Sequence, residues 1–274
     1  MANHALALLE SALRERKLDR TLTTALPPLA RTDPAALLPT GIPALDGWLC
    51  PSTTAQGVAR TVEGRGGFPR GQLSEIAGPP TSGRTTVLLQ TIAAVTRRGE
   101  LAAFVDTFDC LDVASVVGAG VDLERMLWIR GEGGPPSGGF GGPGPHERAV
   151  DRALKALNLV LQAGGFAIAA IDLADVPPVA LKRIPVTTWL RVQRTIEGSD
   201  TACVLIVPGP LARSAGGLTL TLTGRATWGG TADRSRRLTG IGVDVRVISP
   251  RRHVDGALNI EATADDQWVV AVNA

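Results

Sequence analysis

The sequence predicts an α/β protein: a mainly parallel sheet flanked by helices and extended by antiparallel strands towards its C-terminus. Three observations carry this expectation. A short apolar run ending at Ile76-Ala77 enters a Gly-rich turn, Gly78 to Thr85, and leaves it in a segment where Val87, Leu88, Ile92 and Val95 share one helical face. Phe166 to Ile171 and Cys203 to Val207 are unbroken apolar runs, as strands buried on both faces require, and a helical pattern at Val186 to Ile196 lies between them. After Pro208-Gly209-Pro210 the helical periodicity stops, and strand-like stretches follow at 218–222, 242–248, 257–262 and 268–272. Alternating helices and strands followed by strands alone give that architecture.

Composition sets the outer bounds. The 274 residues are 44% hydrophobic and 20% charged, which suits a soluble globular protein with an ample core. Aromatic residues make up 4% and tyrosine is absent, which removes one common source of base-stacking platforms. A net charge of +2 is too small to imply a nucleic-acid partner by itself. Cys50, Cys110 and Cys203 lack metal-ligand spacing, and the last two sit in apolar runs, so they read as small buried hydrophobes in a reducing compartment. The Leu-rich N-terminal stretch carries Glu10, Arg14, Glu15 and Arg16, and no apolar run is long enough to span a bilayer. A cytoplasmic protein with no membrane partner is the expectation.

Taken in order, residues 4–18 have the pattern of an amphipathic helix with Leu6, Leu9 and Leu13 on one side. Its stripe needs a surface, either on its own subunit or on a neighbouring protein. Thr21 to Pro39 reads as an extended Pro-rich linker, so 1–39 is expected as an arm and 40–274 as the core. A polar, Gly-rich insertion at 50–67 reads as a mobile loop. Strands are expected at 102–105 and 126–129, and the Gly/Pro/Ser stretch at 131–145 is expected to be disordered. Val150, Leu154, Leu157 and Leu161 mark a helix over 146–162, ended by Gly164-Gly165.

The turn after Ile76-Ala77 carries the chemistry. Gly78-Pro79-Pro80-Thr81-Ser82-Gly83-Arg84-Thr85 has the spacing of a phosphate loop, with Arg84 where lysine is expected. Glycines let successive backbone N–H groups turn inward, and the helix start adds partial positive charge. Guanidinium is larger, planar and rigidly forked, so it can touch phosphate yet fill the space that a γ-phosphate needs. The alternative is a surface arginine left by compositional drift, since Lys17, Lys155 and Lys182 are the only lysines.

The order Gly41, Leu45-Asp46, phosphate loop, Ala103-Phe104-Val105-Asp106, Leu111-Asp112 and then Phe166 to Asp172 resembles the core of the RecA recombinase superfamily, over roughly Pro39 to Ile248. Within it the chain is most similar to the ImuA (SulA-related) proteins, short members associated with damage-induced translesion synthesis beside a polymerase-like ImuB protein. The resemblance implies a RecA-like core. It places ATP or ADP against Gly78, Ser82, Gly83, Arg84, Thr85 and Thr86, with Asp112 near the base and Mg²⁺ held by Thr85 and Asp172. It also exposes departures. Phe108 stands where the catalytic glutamate falls, Ser115 where an aromatic would stack on the base, and Pro208-Gly209-Pro210 where a glutamine senses the γ-phosphate. Asp109 is a weak substitute for the base. No catalytic residue is assigned, and nucleotide binding is expected to be weak or absent.

Between residues 182 and 252, twelve arginines and lysines face four acids, an excess that the overall charge conceals. Segments 176–185 and 211–223 stand in the places of RecA's two DNA-binding loops. Single-stranded DNA is therefore a candidate ligand, with Arg213, Arg225, Arg234, Arg236 and Arg237 as candidate contacts; the alternative is a set of solvated basic strand faces. The resulting expectation is a catalytically weakened accessory protein of the SOS response and translesion DNA repair, binding RecA, an ImuB-type protein, or both, with Leu6, Leu9 and Leu13 as the contact. The competing readings are an active RecA-type DNA-dependent ATPase that uses Arg84, and a metabolic phosphate-loop enzyme, for which no second-substrate motif is visible.

Overall fold

The computed structural model describes residues 37–50, 66–132, 144–212, 216–230, 235–248, 257–263 and 270–272, all within one compact unit, Asp33–Ala274. The N-terminal arm with Leu6, Leu9 and Leu13, most of the 50–67 insertion, the middle of the Gly/Pro stretch, Arg213 and Arg234 lie outside the described residues.

Two short strands, β1 (Leu37–Leu38) and β2 (Phe68–Pro69), form an antiparallel pair. The main sheet has nine strands: β3 (Leu73–Ala77), β4 (Leu101–Asp106), β5 (Met126–Arg130), β6 (Phe166–Asp172), β7 (Ala202–Val207), β8 (Thr219–Gly229), β9 (Arg237–Ile248), β10 (Leu258–Thr263) and β11 (Val270–Val272). Their order is β11-β10-β9-β8-β3-β7-β6-β4-β5. From β8 to β5 every pairing is parallel, and from β8 to β11 every pairing is antiparallel. The expected parallel sheet with an antiparallel C-terminal extension is what the chain forms.

Alternation along the central strands explains the unbroken apolar runs. On β7, Ala202, Val204 and Ile206 face one core, whereas Cys203, Leu205 and Val207 face the other. The first core is covered by the helix α2 (Arg84–Arg97), which buries Leu88, Ile92 and Val95. The second is covered by α4 (Pro145–Ala163) and α6 (Val186–Ile196), which bury Leu157, Trp189, Val192 and Ile196. Each such large side chain contributes roughly 1.5–3 kcal/mol, so both helical layers are held by their apolar stripes.

Some features carry no periodic signal. The helices α1 (Pro43–Trp48), α3 (Val113–Gly118) and α5 (Pro178–Lys182) are six, six and five residues long, too short to show a repeat. The segment 176–185, expected as a loop, thus contains a helix whose Leu181 is buried. The strands β8 and β9 run well beyond the alternating stretches at 218–222 and 242–248. The expectation that Cys110 is buried is wrong: it is exposed, whereas Cys203 is buried. Strand β4 stops at Asp106, so Cys110 falls in the following turn, its N–H bonded to the Asp106 carboxylate at 3.0 Å.

The lead-in to the phosphate loop has its own lock. Asp46 is buried, and its carboxylate accepts from the Thr40 N–H and hydroxyl, both at 2.7 Å, and from the Gly41 N–H at 3.1 Å. Burial pushes its pKa up while those bonds pull it down. Gly41 has φ of 77°, and a Cβ there would lie 2.6 Å from the Cβ of Ala94 on α2. Only glycine lets the lead-in lie against that helix. Asp46→Ala would leave three donors without their acceptor and is expected to cost about 2–4 kcal/mol, read as a lower urea midpoint with an unchanged m-value.

Candidate phosphate-binding site

The loop leaves β3 at Gly78, whose N–H donates to the Val207 carbonyl at 3.1 Å, and closes with Ser82 N–H on the Pro79 carbonyl at 3.2 Å. Gly83, with φ of 85°, caps α2 without any side-chain hydrogen bond, so the helix N-terminus is open. A Cβ at Gly78 would lie 2.4 Å from Ser82 Oγ and 2.7 Å from the Leu222 carbonyl. One at Gly224 of β8 would lie 2.3 Å from the Thr81 carbonyl. The glycines therefore serve close approach: the loop is pressed between its own helix and strand β8. Ser82 Oγ is buried with no hydrogen-bond partner among the described residues. An open helix start and an orphaned hydroxyl inside a glycine cradle fit a bound anion such as a nucleotide phosphate.

Arg84 lies in this cradle. Its side chain is 8% exposed, Nη1 donates to the Gly78 carbonyl at 2.5 Å, and Nη2 stands 3.7 Å from Asp175 Oδ1. The alternative of a surface arginine is overturned, because the guanidinium is tucked under the loop. Thr85 is exposed at the helix start and Thr86 is half-buried beside it.

Opposite the loop, the carboxyl ends of β4 and β6 gather acids. Asp106 is buried and accepts from Cys110 N–H at 3.0 Å, Leu111 N–H at 2.9 Å and Trp128 Nε1–H at 3.2 Å. Asp172, its register partner across the β4–β6 pairing, accepts from Ala174 N–H at 2.8 Å. Desolvation, reinforced by the carboxylates of Asp175 and Asp106, pushes Asp172 up to about 6, while Ala174 N–H and Arg84 oppose this. The same negative surroundings, after desolvation, raise the Cys110 thiol. An acid of this kind, close to Asp106 and Asp175, could meet a divalent cation, whose charge would restore the ionised carboxylate.

The position that resemblance gives to a catalytic base offers none. Phe108 is 4% exposed, belongs to the second core and meets the His146 ring edge-on at 5.8 Å. Asp109, the substitute considered from sequence, sits in a turn with φ of 57° and is held by Arg130 through bonds of 2.7 and 2.8 Å. That pairing keeps its carboxyl below the ordinary range. Asp112 caps α3, accepting from the Ser115 N–H at 2.8 Å and hydroxyl at 2.6 Å, which also lowers its pKa.

Sequence reasoning missed two residues here. Asp175 is the acid facing Arg84; its only signal was a position three residues beyond a strand-ending aspartate. Glu75 on β3 is 1% exposed and accepts from the N–H groups of Leu211 and Ala212 and from Thr219 Oγ1, pinning the segment after β7. An acid within an apolar strand, three residues before a phosphate loop, was the sign. Of the candidate DNA contacts, Arg225, Arg236 and Arg237 are exposed on the β8–β9 hairpin.

Comparison with known proteins places the loop in context. Residues 51–136 match the family described as the RecA N-terminal domain. The chain is 46% identical over 69 residues to Protein RecA of Picosynechococcus sp., covering 25% of this chain and 20% of that protein. It is 36% identical over 109 residues to Protein RecA of Borrelia hermsii, covering 40% and 26%, and 48% identical over 62 residues to that of Prochlorococcus marinus, covering 23% and 16%. The chain thus spans about a sixth to a quarter of the length of these relatives. The similarity supports a place in the RecA superfamily, and the RecA-like α/β fold agrees with it.

The environment of Asp172 has a measurable consequence. An unfolded aspartate titrates near 3.8, and this one near 6 in the fold. The folded chain therefore holds the proton more tightly, and the stability this brings is complete below about pH 4 and lost as pH rises through about 6. Asp172→Asn, which cannot ionise, is expected to be more stable than the parent above pH 7, by on the order of 1–3 kcal/mol. The gap should close towards pH 4, in thermal melts run with a chelator present.

Proposed function

We propose that this chain is a RecA-like accessory protein of the bacterial DNA damage response, of the ImuA kind, that works by association rather than by nucleotide turnover. The observation that carries the reading is the pair of changes at the loop. Arg84 lies in the cradle where a flexible lysine would approach phosphate, and Phe108 is built into the apolar core at the position of the base. A phenyl ring takes no proton, and loss of a general base costs about 10²–10⁴-fold in rate. Asp109 does not replace it, being committed to Arg130.

In this reading the loop keeps a phosphate cradle, with Mg²⁺ near Thr85 and Asp172, and ATP or ADP binds weakly. The partners are RecA and an ImuB-type polymerase-like protein in mutagenic translesion synthesis, and the basic C-terminal half contacts single-stranded DNA. The stripe Leu6, Leu9 and Leu13 is the proposed contact with RecA, each buried leucine contributing roughly 1.5–3 kcal/mol. A subunit able to dock but unable to hydrolyse would cap or modulate a filament. The competing reading of an active DNA-dependent ATPase requires a base, and no residue described at the loop supplies one.

The decisive experiment is a pull-down with purified RecA and, separately, an ImuB-type protein, with and without ATP. The full chain is expected to retain RecA directly, and a chain lacking residues 1–25 to lose it while keeping its thermal transition. Equal retention by the shortened chain would move the contact elsewhere; retention of the ImuB-type protein alone would remove RecA as partner. Phosphate release is expected to be negligible beside a RecA control, and Phe108→Glu is not expected to restore it, because Arg84 and the Pro208–Pro210 turn remain. Release that matches the control and is abolished by Asp172→Ala would defeat the reading.

A further inference from the structure

Strand β8 pairs with β3 only through Thr219, Leu220 and Thr221, opposite Glu75, Ile76 and Ala77. It then continues to Gly229, eight residues past the carboxyl end of β3, a projection of roughly 26 Å at strand rise. Strand β9 follows it outward, and β10 accompanies β9 as far as Gly240. The outermost part of this extension is therefore a two-stranded tip on the same side of the sheet as the phosphate loop.

The tip has an unusual surface. Leu220 and Leu222 of β8 and Val243 and Val245 of β9 are buried in the first core. Further out on that same face, Trp228 is 54% exposed and its direct register partner Leu238 is 47% exposed. A bulge at Thr239 keeps these two opposite each other. Arg236 and Arg237 are exposed beside them at the end of the tip, whereas Arg225 lies further in; Arg225 and Arg237 belong to the opposite face of the strands. Among the described residues Arg236 and Arg237 have no carboxylate partner, and Arg225 reaches Asp244 only at 4.0 Å. The described two-stranded part, residues 228–230 and 235–239, contains Arg236 and Arg237 and no acid; further in, Arg225 pairs with Gly242, which pairs in turn with Glu261 of β10.

We infer that this tip is a single-stranded nucleic-acid contact in which Trp228 stacks on a base and the arginines meet the adjoining phosphates. An exposed indole beside arginines that have no carboxylate partner among the described residues complements a ligand that presents π-faces and negative charge together. An apolar partner surface would satisfy the indole and Leu238 but leave the arginine charge unmet. In a duplex the base faces are hidden in the stack. A single exposed aromatic therefore favours unpaired bases. The inference deepens the DNA-binding part of the proposed role, and it does not depend on RecA association.

The test measures binding of a fluorescent thirty-nucleotide oligo(dT), and of a thirty-base-pair duplex, to the full chain across a salt series, with no RecA present. Trp228→Ala is expected to weaken oligo(dT) binding about tenfold or more, and Trp228→Phe to retain most of it. Arg236→Ala with Arg237→Ala is expected to weaken binding and reduce the log–log salt slope by about 1.4, at about 0.7 per lost single-strand phosphate contact. These positions are exposed, and an unchanged thermal transition shows that each variant folds. Unchanged oligo(dT) affinity in Trp228→Ala, tighter binding of the duplex, or no binding by the parent at low salt would each overturn the inference. The first would assign the indole to a protein partner. Any of these results leaves the RecA pull-down outcome standing, so the two ideas fail separately.

Discussion

Burial of the central parallel strands on both faces is the constraint on which the rest of this structure depends. With α2 on one side and α4 and α6 on the other, β3, β7, β6 and β4 have no solvated face on which to carry polar chemistry. Polar groups are displaced to the strand ends, where backbone turns leave N–H groups free to receive them. Asp106 and Asp172, at the ends of adjacent strands, and the loop after β3 are consequences of that displacement. Ser74 and Glu75, buried polar residues within β3, are tolerated because Leu218 N–H meets the serine hydroxyl, and backbone N–H groups and a hydroxyl meet the glutamate oxygens.

Crowding at this end sets its electrostatics. Asp172, Asp175 and Asp106 share a small region with one buried guanidinium, and burial raises the cost of every uncompensated negative charge. Arg84 therefore has two roles open to it. It can meet an incoming phosphate, or it can meet the loop carbonyl and Asp175, as it does here. A lysine would present a smaller charge with more freedom to leave. In this structure the guanidinium is satisfied internally, by the Gly78 carbonyl and Asp175.

The antiparallel extension answers a different constraint. Once β8 passes Ala77 it has no parallel partner, and it survives by pairing with β9, which pairs with β10 in turn. Close contact of Gly224 with Thr81, and of Gly83 with Val243, ties the root of this extension to the phosphate loop. The outer end has left the core, so its apolar and basic side chains remain available to a partner.

The sequence alone determined the layers and the loop. Apolar runs and helical periods are local patterns, so the strands at 166–172 and 202–207 and the helices at 145–163 and 186–196 were legible to within a residue or two, as was the glycine spacing from Gly78 to Thr85. That Phe108 cannot act as a base was also legible, because a phenyl ring has no lone pair with which to accept a proton. Tertiary structure decided what depends on neighbours far apart in the chain. The guanidinium of Arg84 could have faced solvent; the Gly78 carbonyl and Asp175 decide that it does not. Asp109 looked like a spare acid until Arg130, on the next strand, was seen to hold it. Cys110 looked apolar by its neighbours but falls beyond the end of β4. The exposed pair of Trp228 and Leu238 exists only through cross-strand register and a bulge, and one residue of slip would have turned each side chain to the other face.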